Sequence, residues 1–599
     1  MRPIVVGLFI SFTLAAQQPQ GPPRAPATMR PLIMGSTYAA SSRKPQATQV
    51  AERILRAGGN AIDAAVASQA ALAMVDLGSN GVGSDAFVLL YDAKTGKVFS
   101  VNACGTAPKL ATIEWYNQNA GGKLPDSDGL LAGTVPGVVD AWYTLLDRWG
   151  TMTFAQVLAP AIELAEQGFP LTAGQARGIA SNKKLQKYPS SRRVYFPNGE
   201  APKAGEVFRN LDVARTLKML VEAETKAKRK GRRAALLAAR DRFYKGDIAR
   251  KMGAFSEANG GLFRYEDFAA YTVKVEEPVA SDYRGYQVFK NPSATQGPAE
   301  LFTLNLLRGY DLKAMGHNSA DYVHVGIEAV KLAYADRERY LGDADFIRIL
   351  FPALLAEPYA ASRRALIDMA RASTELRPGE VERLPSGASL YPPLKINFDG
   401  DADHEGDTSY LSVVDRVRNA VSWTPSLHSG YGTGVVMDDL GFSFNCRGDY
   451  YHLEPGHPNA LAPGKRPRST LTPTLILKDG KPFLAVGSPG GDDQPMRIMQ
   501  TFLNIVEFGM NVQAAIEAPR WTTSSFPASP FPHTMKTGEV GLEDRVAEDV
   551  RKELERRGHK ITMRGPWSLG ATSAILIDPK TGVLSAGADP RGDNYALAW

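Results

Sequence analysis

Cysteine is scarce in this sequence, and its scarcity excludes the small, cross-linked class of folds. The 599 residues contain only two cysteines, Cys104 and Cys446. Two cysteines cannot build a disulfide framework, so none holds this fold together. The hydrophobic share of 44% and the charged share of 22% are ordinary for a globular protein.

A strong excess of charge is missing as well. The 69 basic and 63 acidic residues leave a net charge of +6, and the basic run at 226–240 contains no aromatic residue. Such a run is typical of a solvated helix face rather than of a nucleic-acid-binding surface. Beyond the N-terminus no segment is long and apolar enough to cross a bilayer. We therefore predict neither a nucleic-acid partner nor a membrane span.

Histidine spacing gives no indication of a metal site. His404, His428 and His452 do not show the clustered ligand spacing of metal-binding sequences. We therefore predict no metal and no cofactor.

The N-terminus has the pattern of a secretory signal. Arg2 precedes an apolar run from Ile4 to Leu14, and two alanines follow, as in cleavable signal peptides. A buried first strand is the alternative, but the segment after it is rich in Gln, Pro and Ala. We predict a signal peptide at 1–16, a tether at 17–33, and a periplasmic or secreted protein.

The remaining sequence is organised around the stretch 406–415. Gly406 and Asp407 are turn residues, and β-branched and apolar residues from Thr408 onward predict a strand. One interpretation is a threonine that merely favours the strand. The other is an N-terminal nucleophile, because cleavage of the Asp407–Thr408 bond would give Thr408 a free α-amine. A free α-amine, with an unperturbed pKa of about 8, can serve as a general base.

Three motifs decide between these interpretations. They are T-S-x-x-S-V-V-D at 408–415, G-Y-G-T-G at 430–434 and G-S-P-G-G at 487–491. Together they resemble the γ-glutamyltranspeptidase family, and the resemblance runs from about Met34 to the C-terminus. It implies self-cleavage between Asp407 and Thr408, which would give a large subunit of residues 34–407 and a small catalytic subunit of residues 408–599.

The resemblance also implies an α/β fold, the four-layer αββα sandwich of the N-terminal nucleophile hydrolases, formed by two subunits from one precursor. Helical spacing predicts two helices between Gln46 and Leu77, separated at 58–60. Strand patterns occur at 87–91, 98–102, 408–415, 419–424, 435–436, 442–445, 474–477 and 483–486. Strands with helices on both sides are compatible with that sandwich.

The catalytic roles follow from the resemblance. Thr408 would be the nucleophile and, through its amine, the base. Gly490 and Gly491 would form the oxyanion hole with their backbone N–H groups. The alternative is that the two glycines only form a tight turn. The hydroxyl of Ser426 would hydrogen-bond the catalytic threonine.

The substrate-binding residues match the family only in part. Ser469 and Thr470 fall on the hydroxyl pair that binds the substrate carboxylate. The departures are four: Cys104 replaces the carboxylate-binding arginine, His428 an asparagine, Arg447 a glutamine, and Tyr450 the ammonium-binding aspartate, although Asp449 is adjacent. Cysteine cannot replace a bidentate arginine, so we hypothesise that Arg447 supplies the missing positive charge. Cys104 and Cys446 map near one pocket, and we expect free buried thiols rather than a disulfide.

The resemblance implies a self-processing threonine amidohydrolase or acyltransferase. It would cleave γ-glutamyl amides such as glutathione through a γ-glutamyl-enzyme on Thr408, with water or an amine as acceptor. One alternative is an acylase for glutaryl-type or other short acyl amides, similar to the cephalosporin acylases. The other is an inactive exported binding protein of the same fold.

Overall fold

The computed structural model describes residues 28–382, 393–398 and 406–599. The predicted signal peptide, most of the tether and His404 lie outside the described residues. The described end of the tether is bound to the rest of the chain. There the backbone N–H groups of Met29 and Arg30 donate to the Glu517 carboxylate at 2.7 and 3.0 Å.

Strands are distributed over the whole described chain. They are β1 (Ile33–Gly35), β2 (Ala39–Ser42), β3 (Asp85–Asp92), β4 (Lys97–Ala103), β5 (Phe169–Pro170), β6 (Val207–Phe208), β7 (Lys274–Glu276), β8 (Val279–Tyr283), β9 (Tyr286–Lys290), β10 (Leu411–Val414), β11 (Ala420–Ser426), β12 (Thr474–Lys478), β13 (Lys481–Gly487), β14 (Trp521–Thr523), β15 (Glu539–Glu543), β16 (Lys560–Arg564), β17 (Ser573–Ile577), β18 (Leu584–Ala588) and β19 (Tyr595–Ala598).

Helices lie mostly before residue 365. They are α1 (Pro45–Arg56), α2 (Ala61–Val75), α3 (Ile113–Asn119), α4 (Val138–Arg148), α5 (Phe154–Gln167), α6 (Ala173–Ser181), α7 (Lys183–Lys187), α8 (Pro189–Tyr195), α9 (Leu211–Ala227), α10 (Arg232–Tyr244), α11 (Asp247–Ala258), α12 (Tyr265–Ala270), α13 (Pro298–Leu307), α14 (Leu312–Met315), α15 (Ala320–Tyr340), α16 (Phe351–Leu354), α17 (Glu357–Arg364), α18 (Gln494–Val506), α19 (Val512–Glu517) and α20 (Glu548–Arg556).

Two seven-stranded antiparallel sheets form the centre of the protein. Sheet I has the order β1-β18-β17-β13-β12-β9-β8, and sheet II the order β19-β2-β10-β11-β3-β4-β7. In sheet II, β10 pairs with β2 on one side and β11 on the other. The segment that enters β10, which carries Thr408, is therefore held centrally in the sheet.

The sheets face each other across a layer of small and branched apolar side chains, including Ala39, Leu89, Val414, Leu475, Ile575 and Ala586. One core on the outer face of sheet II includes α1, α2, α4 and α5, and another on the outer face of sheet I includes α13, α15 and α18. The layers are thus helix, sheet, sheet and helix, as predicted. No helix among the described residues has the length and apolarity to cross a membrane.

The two predicted helices at 46–77 are confirmed as α1 and α2. Every residue of α2 is buried, and the Asn60 side chain caps its N-terminus by accepting from the N–H groups of Ile62 and Asp63. Two predicted strands, at 435–436 and 442–445, are wrong. Isolated bridges form there between Val436 and Ser443 and between Phe444 and Gly83, because Gly432, Gly434 and Gly441 have positive φ and turn the chain before a ladder can extend.

Candidate active site

Thr408 is buried immediately before β10, with 1% of its surface exposed. The strand begins at Leu411, three residues later than the sequence pattern indicates. The Thr408 carbonyl accepts from the Arg43 guanidinium, and Arg43 also lies 3.5 Å from the Asp76 carboxylate. These contacts from the start of the chain fix Thr408 in a protected position.

The Ser426 hydroxyl lies between Thr408 and the bond that precedes it. Ser426 Oγ is 3.3 Å from Thr408 Oγ1, donates to the Asp407 carbonyl at 2.7 Å and accepts from the His428 N–H at 2.7 Å. Since the Ser426 proton goes to Asp407, the Thr408 hydroxyl must donate to Ser426. The arrangement is a short proton relay from Thr408 through Ser426 to the Asp407 carbonyl oxygen.

The junction residues lie against the glycine turn that follows β13. A Cβ placed on Gly406 would lie 3.3 Å from the backbone nitrogen of Gly491, and the Asp407 N–H donates to the His428 carbonyl at 2.7 Å. Gly490 and Gly491 have φ values of 99° and 50°, a region that residues with a Cβ rarely adopt. The structure therefore brings the proposed oxyanion turn next to the predicted cleavage site.

Arg447 belongs to a buried cluster of predicted substrate-binding residues, called the acyl pocket here, with Thr470, Tyr450, His428 and Asp449. Its Nε donates to Asp85 Oδ2 at 2.9 Å and its Nη1 to Thr470 Oγ1 at 3.3 Å. Burial raises the pKa of Asp85, against the Arg447 guanidinium, which lowers it. Asp85, the first residue of β3, is far from Arg447 in sequence and provides the counter-charge of the Arg447 guanidinium.

A chain of hydrogen bonds continues from Thr470 around the pocket. Tyr450 Oη is 3.2 Å from Thr470 Oγ1 and 3.0 Å from His428 Nδ1, and His428 Nε2 is 3.0 Å from Asp449 Oδ2. Because Arg447 only donates and a carboxylate only accepts, the protons point from Arg447 toward Asp449. Tyr450, which aligns with the family's aspartate, and the adjacent Asp449 therefore both belong to the pocket.

Ser127 was missed by the sequence analysis. Its hydroxyl donates to Asp449 Oδ2 and lies 3.3 Å from His428 Nε2. No local motif marks Ser127, but its φ of 50° shows that its loop adopts an unfavourable backbone to reach the pocket. His428 also has a positive φ, of 79°, as strained residues at functional sites often do.

Three charged atoms of this pocket have no hydrogen-bond partner among the described residues. They are Arg447 Nη2, Asp85 Oδ1 and Asp449 Oδ1, all buried. An unpartnered buried charge costs free energy. A ligand that carries both an anionic and a cationic group would satisfy Arg447 Nη2 and a carboxylate oxygen.

The remaining predicted pocket residues are Ser469 and Cys104, together with the second cysteine, Cys446. Ser469 Oγ accepts from the Leu471 N–H at 3.3 Å, so it shapes the turn that presents Thr470. Cys104 and Cys446 are both buried and free, as expected. Burial raises the pKa of both thiols, that of Cys446 to about 11, so neither is a reactive thiolate.

A histidine cluster that the sequence spacing did not indicate lies behind this pocket. Glu338, His452 and His457 each place one possible ligand atom within 4.8 Å of the others. However, the two imidazole rings are stacked, with centroids 3.6 Å apart and planes at 18°, so their in-plane lone pairs cannot converge on one ion. Arg337 and Arg468 also contact the Glu338 carboxylate, at 2.8 and 2.7 Å. The cluster therefore packs against two guanidinium groups and does not have the geometry of a metal site.

Comparison with known proteins places the chain in a family. The family model described as Gamma-glutamyltranspeptidase matches residues 47–599. A glutathione hydrolase proenzyme of Bacillus subtilis (strain 168) is 31% identical over 96% of this chain and 94% of its own length. The Acylase ACY 1 proenzyme of Pseudomonas sp. (strain SE83) is 32% identical over 94% of each chain.

A solved structure gives the same result. The crystal structure of a cephalosporin acylase from Bacillus halodurans has a TM-score of 0.82 and 32% identity, and the match covers 97% of this chain and 99% of that one. The chain is therefore a hydrolase of the γ-glutamyltranspeptidase family.

Proposed function

We propose that this protein is an exported, self-processing threonine amidohydrolase of the N-terminal nucleophile type. In self-cleavage, Thr408 Oγ1 attacks the Asp407 carbonyl carbon while its proton passes to Ser426, which donates to the carbonyl oxygen. The C–N bond then breaks and the nitrogen takes the proton, leaving an ester. That step already frees the Thr408 amine, and water then hydrolyses the ester to give the Asp407 carboxylate and the Thr408 hydroxyl. The relay of 3.3 and 2.7 Å contacts supports this step.

The mature site would then act on an external amide. The Thr408 amine takes the hydroxyl proton, the oxygen attacks the acyl carbon, and the amine returns the proton to the leaving nitrogen. Backbone N–H groups of Gly490 and Gly491 stabilise the developing oxyanion. Water or another amine then removes the acyl group from Thr408. Departure of the 406–407 segment after self-cleavage would open the space beside Gly491.

We propose a γ-glutamyl group as the acyl part. The observation that carries this is the pair of unpartnered atoms, Arg447 Nη2 and Asp449 Oδ1. An α-amino acid end carries a carboxylate for the first and an ammonium for the second. Arg447 would thus replace the arginine that Cys104 displaces, and glutathione would be a substrate.

A glutaryl-type acyl group is the second candidate. Its terminal carboxylate could pair with Arg447, but it has no amine for Asp449. The similarity to the cephalosporin acylase of Bacillus halodurans favours this candidate. Comparison of γ-glutamyl and glutaryl anilides separates the two, because a site in which Asp449 Oδ1 has no partner should favour the substrate that carries the amine.

The first experiment is a denaturing gel with N-terminal sequencing of the wild-type protein and of Thr408→Ala. We expect two wild-type fragments, the smaller beginning Thr-Ser-Tyr-Leu, and an uncut variant without activity. Thr408→Ser, which keeps a hydroxyl, is the matched control and should still be cut. A wild-type chain that stays whole and inactive would support the binding-protein alternative instead.

The N-terminal pattern at 1–16 supports export. Mass spectrometry of the protein recovered from a secreting host tests this, since a cleaved chain should begin near Gln17. A chain that keeps Met1 and stays inside the cell would contradict it.

A further inference from the structure

The buried amide of Gln296 joins the oxyanion turn, Gly490 and Gly491, to the acyl pocket from behind the site. Gln296 Nε2 donates to the Thr470 carbonyl at 2.9 Å and to the Gly491 carbonyl at 3.2 Å. Its Oε1 accepts from Arg337 Nη1 at 2.8 Å. Since Arg337 can only donate, the orientation of the amide is fixed.

We propose that Gln296 is a positioning residue that sets the oxyanion turn relative to the acyl pocket. The proposal rests on the function proposed above. The Gln296 side chain acts through the two backbone carbonyls that it holds. One of these belongs to the oxyanion turn and the other to the residue that contacts Arg447 and Tyr450.

The backbone of Gln296 is itself paired to the pocket segment. The Gln296 N–H donates to the Ser469 carbonyl, and the Ser469 N–H donates to the Ala294 carbonyl, both at 2.8 Å. Thr295 Oγ1 donates to the Leu471 carbonyl. Residues 294–296 and 469–471 therefore move as one unit, and the Gln296 side chain extends that unit to Gly491.

The partner of Gln296 is equally constrained. Arg337 donates to Asp492 Oδ1 at 2.6 Å and to the Pro527 carbonyl at 2.6 Å, and its guanidinium lies 4.5 Å from the centre of the Tyr334 ring. Tyr334 Oη donates to the Asp492 carbonyl at 2.7 Å. The Gly491 carbonyl is thus held by Gln296, and the side chain and carbonyl of the following Asp492 are held by Arg337 and Tyr334.

On the other side of the turn, Arg497 holds the preceding peptide. Its Nη1 donates to the Pro489 carbonyl at 2.8 Å. With the peptides before and after them fixed, Gly490 and Gly491 cannot rotate their N–H groups independently. This matters because both have backbone angles that only glycine adopts readily and no side chain to restrain them.

Loss of the Gln296 amide should affect the reaction more than substrate binding. An oxyanion donor that is misplaced by a fraction of an ångström stabilises the transition state less, whereas the ground state hardly changes. For Gln296→Met we expect kcat to fall by about 10- to 100-fold, with KM within about threefold of the wild-type value. Self-cleavage should slow less, since the Asp407 carbonyl oxygen accepts from Ser426.

Gln500→Met is the matched control. Gln500 is also buried, donates to the Met496 and Trp521 carbonyls at 3.1 and 2.9 Å, and accepts from the Trp521 N–H at 3.2 Å. Its side-chain hydrogen bonds among the described residues go to Met496 and Trp521 rather than to the site, so its replacement should lower stability by a similar amount and leave kcat unchanged.

The experiment measures kcat, KM and the self-cleavage rate of wild type, Gln296→Met and Gln500→Met, with thermal unfolding of each. A Gln296→Met enzyme whose kcat equals that of Gln500→Met overturns the proposal. If Gln296→Met does not fold, Gln296→Glu keeps the length and the Arg337 contact but cannot donate, and it should show the same fall in kcat. A wild-type protein that neither cleaves itself nor hydrolyses acyl amides refutes the proposed function and this inference with it, whereas an active wild type with an unaffected variant refutes the inference alone.

Discussion

Two buried arginines, Arg591 and Arg447, differ in how fully their donors are used. Both guanidinium groups are shielded from solvent, with 0% exposed side chains. Arg591 contacts four groups: Glu543 at 2.7 Å, Asp589 at 3.0 Å and the Ile516 and Ala518 carbonyls at 3.1 and 2.9 Å. Arg447 donates to Asp85 and Thr470 and lies 5.0 Å from the centre of the Tyr450 ring, and its Nη2 has no hydrogen-bond partner among the described residues.

The carboxylates show the same contrast. Asp589 accepts from Arg520 at 2.7 Å and from the backbone of Thr572 and Arg591, both at 2.9 Å. Asp85, by contrast, has an oxygen without a hydrogen-bond partner. A buried charge network whose donors and acceptors are all used needs nothing further and serves the fold. A network with unused atoms keeps hydrogen-bonding capacity for another molecule.

The largest effect that this comparison predicts is on stability, at Arg591. Arg591→Lys keeps the charge but cannot reach all four groups, because lysine has one nitrogen in place of a planar fork. We expect a loss of about 3 kcal/mol in the free energy of unfolding, with kcat and KM unchanged in the folded enzyme. Urea unfolding followed by tryptophan fluorescence measures the loss. A variant as stable as wild type would remove the distinction between the two clusters.

At Arg447 we expect a large effect on activity and a smaller effect on stability. Arg447→Lys keeps a positive charge beside Asp85, so the free energy of unfolding should change less than in Arg591→Lys. It loses the second donor that we assign to the substrate carboxylate, so kcat/KM for a γ-glutamyl anilide should fall by about 100-fold. Steady-state kinetics measure this. An unchanged KM for an anionic substrate would contradict the role of Arg447.

Asp449→Asn is the control that separates the two ends of the substrate. It removes the charge that we assign to the α-ammonium group and keeps the shape of the side chain. Activity on the γ-glutamyl anilide should fall more than activity on the glutaryl anilide, which has no amine. Equal losses on both substrates would mean that Asp449 acts only by orienting His428.

The sequence predicted sheets flanked by helices and named candidate pocket residues, but it did not predict the contacts among those residues. The helices α1 and α2 follow from apolar spacing and a cap, which are local signals. Asp85 and Ser127 were missed because they meet Arg447 and Asp449 across separations of 362 and 322 residues, and no local pattern encodes such contacts. The cluster of Glu338, His452 and His457 was missed for the same reason.

The strands that failed, at 435–436 and 442–445, show the converse limit. Their β-branched and aromatic residues favour strands, but the glycines around them turn the chain toward Thr433 and Phe444. The Thr433 N–H donates to the Phe444 carbonyl at 2.9 Å, so the segment folds on itself. Tertiary packing of the loop, rather than propensity, decides its structure.

The smallest predicted effect asks whether an unpartnered buried atom away from the pocket also signals a ligand. His559 Nδ1 is buried without a partner, while its Nε2 lies 2.8 Å from His324 Nδ1. His324 Nε2 donates to the Asp368 carbonyl at 2.9 Å, so the proton between the rings belongs to His559. Burial, with the positive charges of Lys331 and Arg557 and the neighbouring His324, lowers the pKa of His559 from 6.5 to about 3.

A lowered histidine pKa makes the folded state prefer the neutral ring. This contribution to stability is complete above the unfolded pKa of 6.5 and is lost progressively as the pH falls toward about 3. Between pH 7.5 and 5.5 we expect His559 to account for a loss of about 1 kcal/mol in the free energy of unfolding. Urea unfolding of wild type and His559→Phe at both pH values measures it, because the variant should lose less stability by that amount. Identical pH dependence in the two proteins would mean that the proton finds an acceptor at Nδ1. A buried nitrogen without a partner would then not indicate a cost in the free energy of unfolding. The inference that Arg447 Nη2 is completed by a ligand would be weaker as a result.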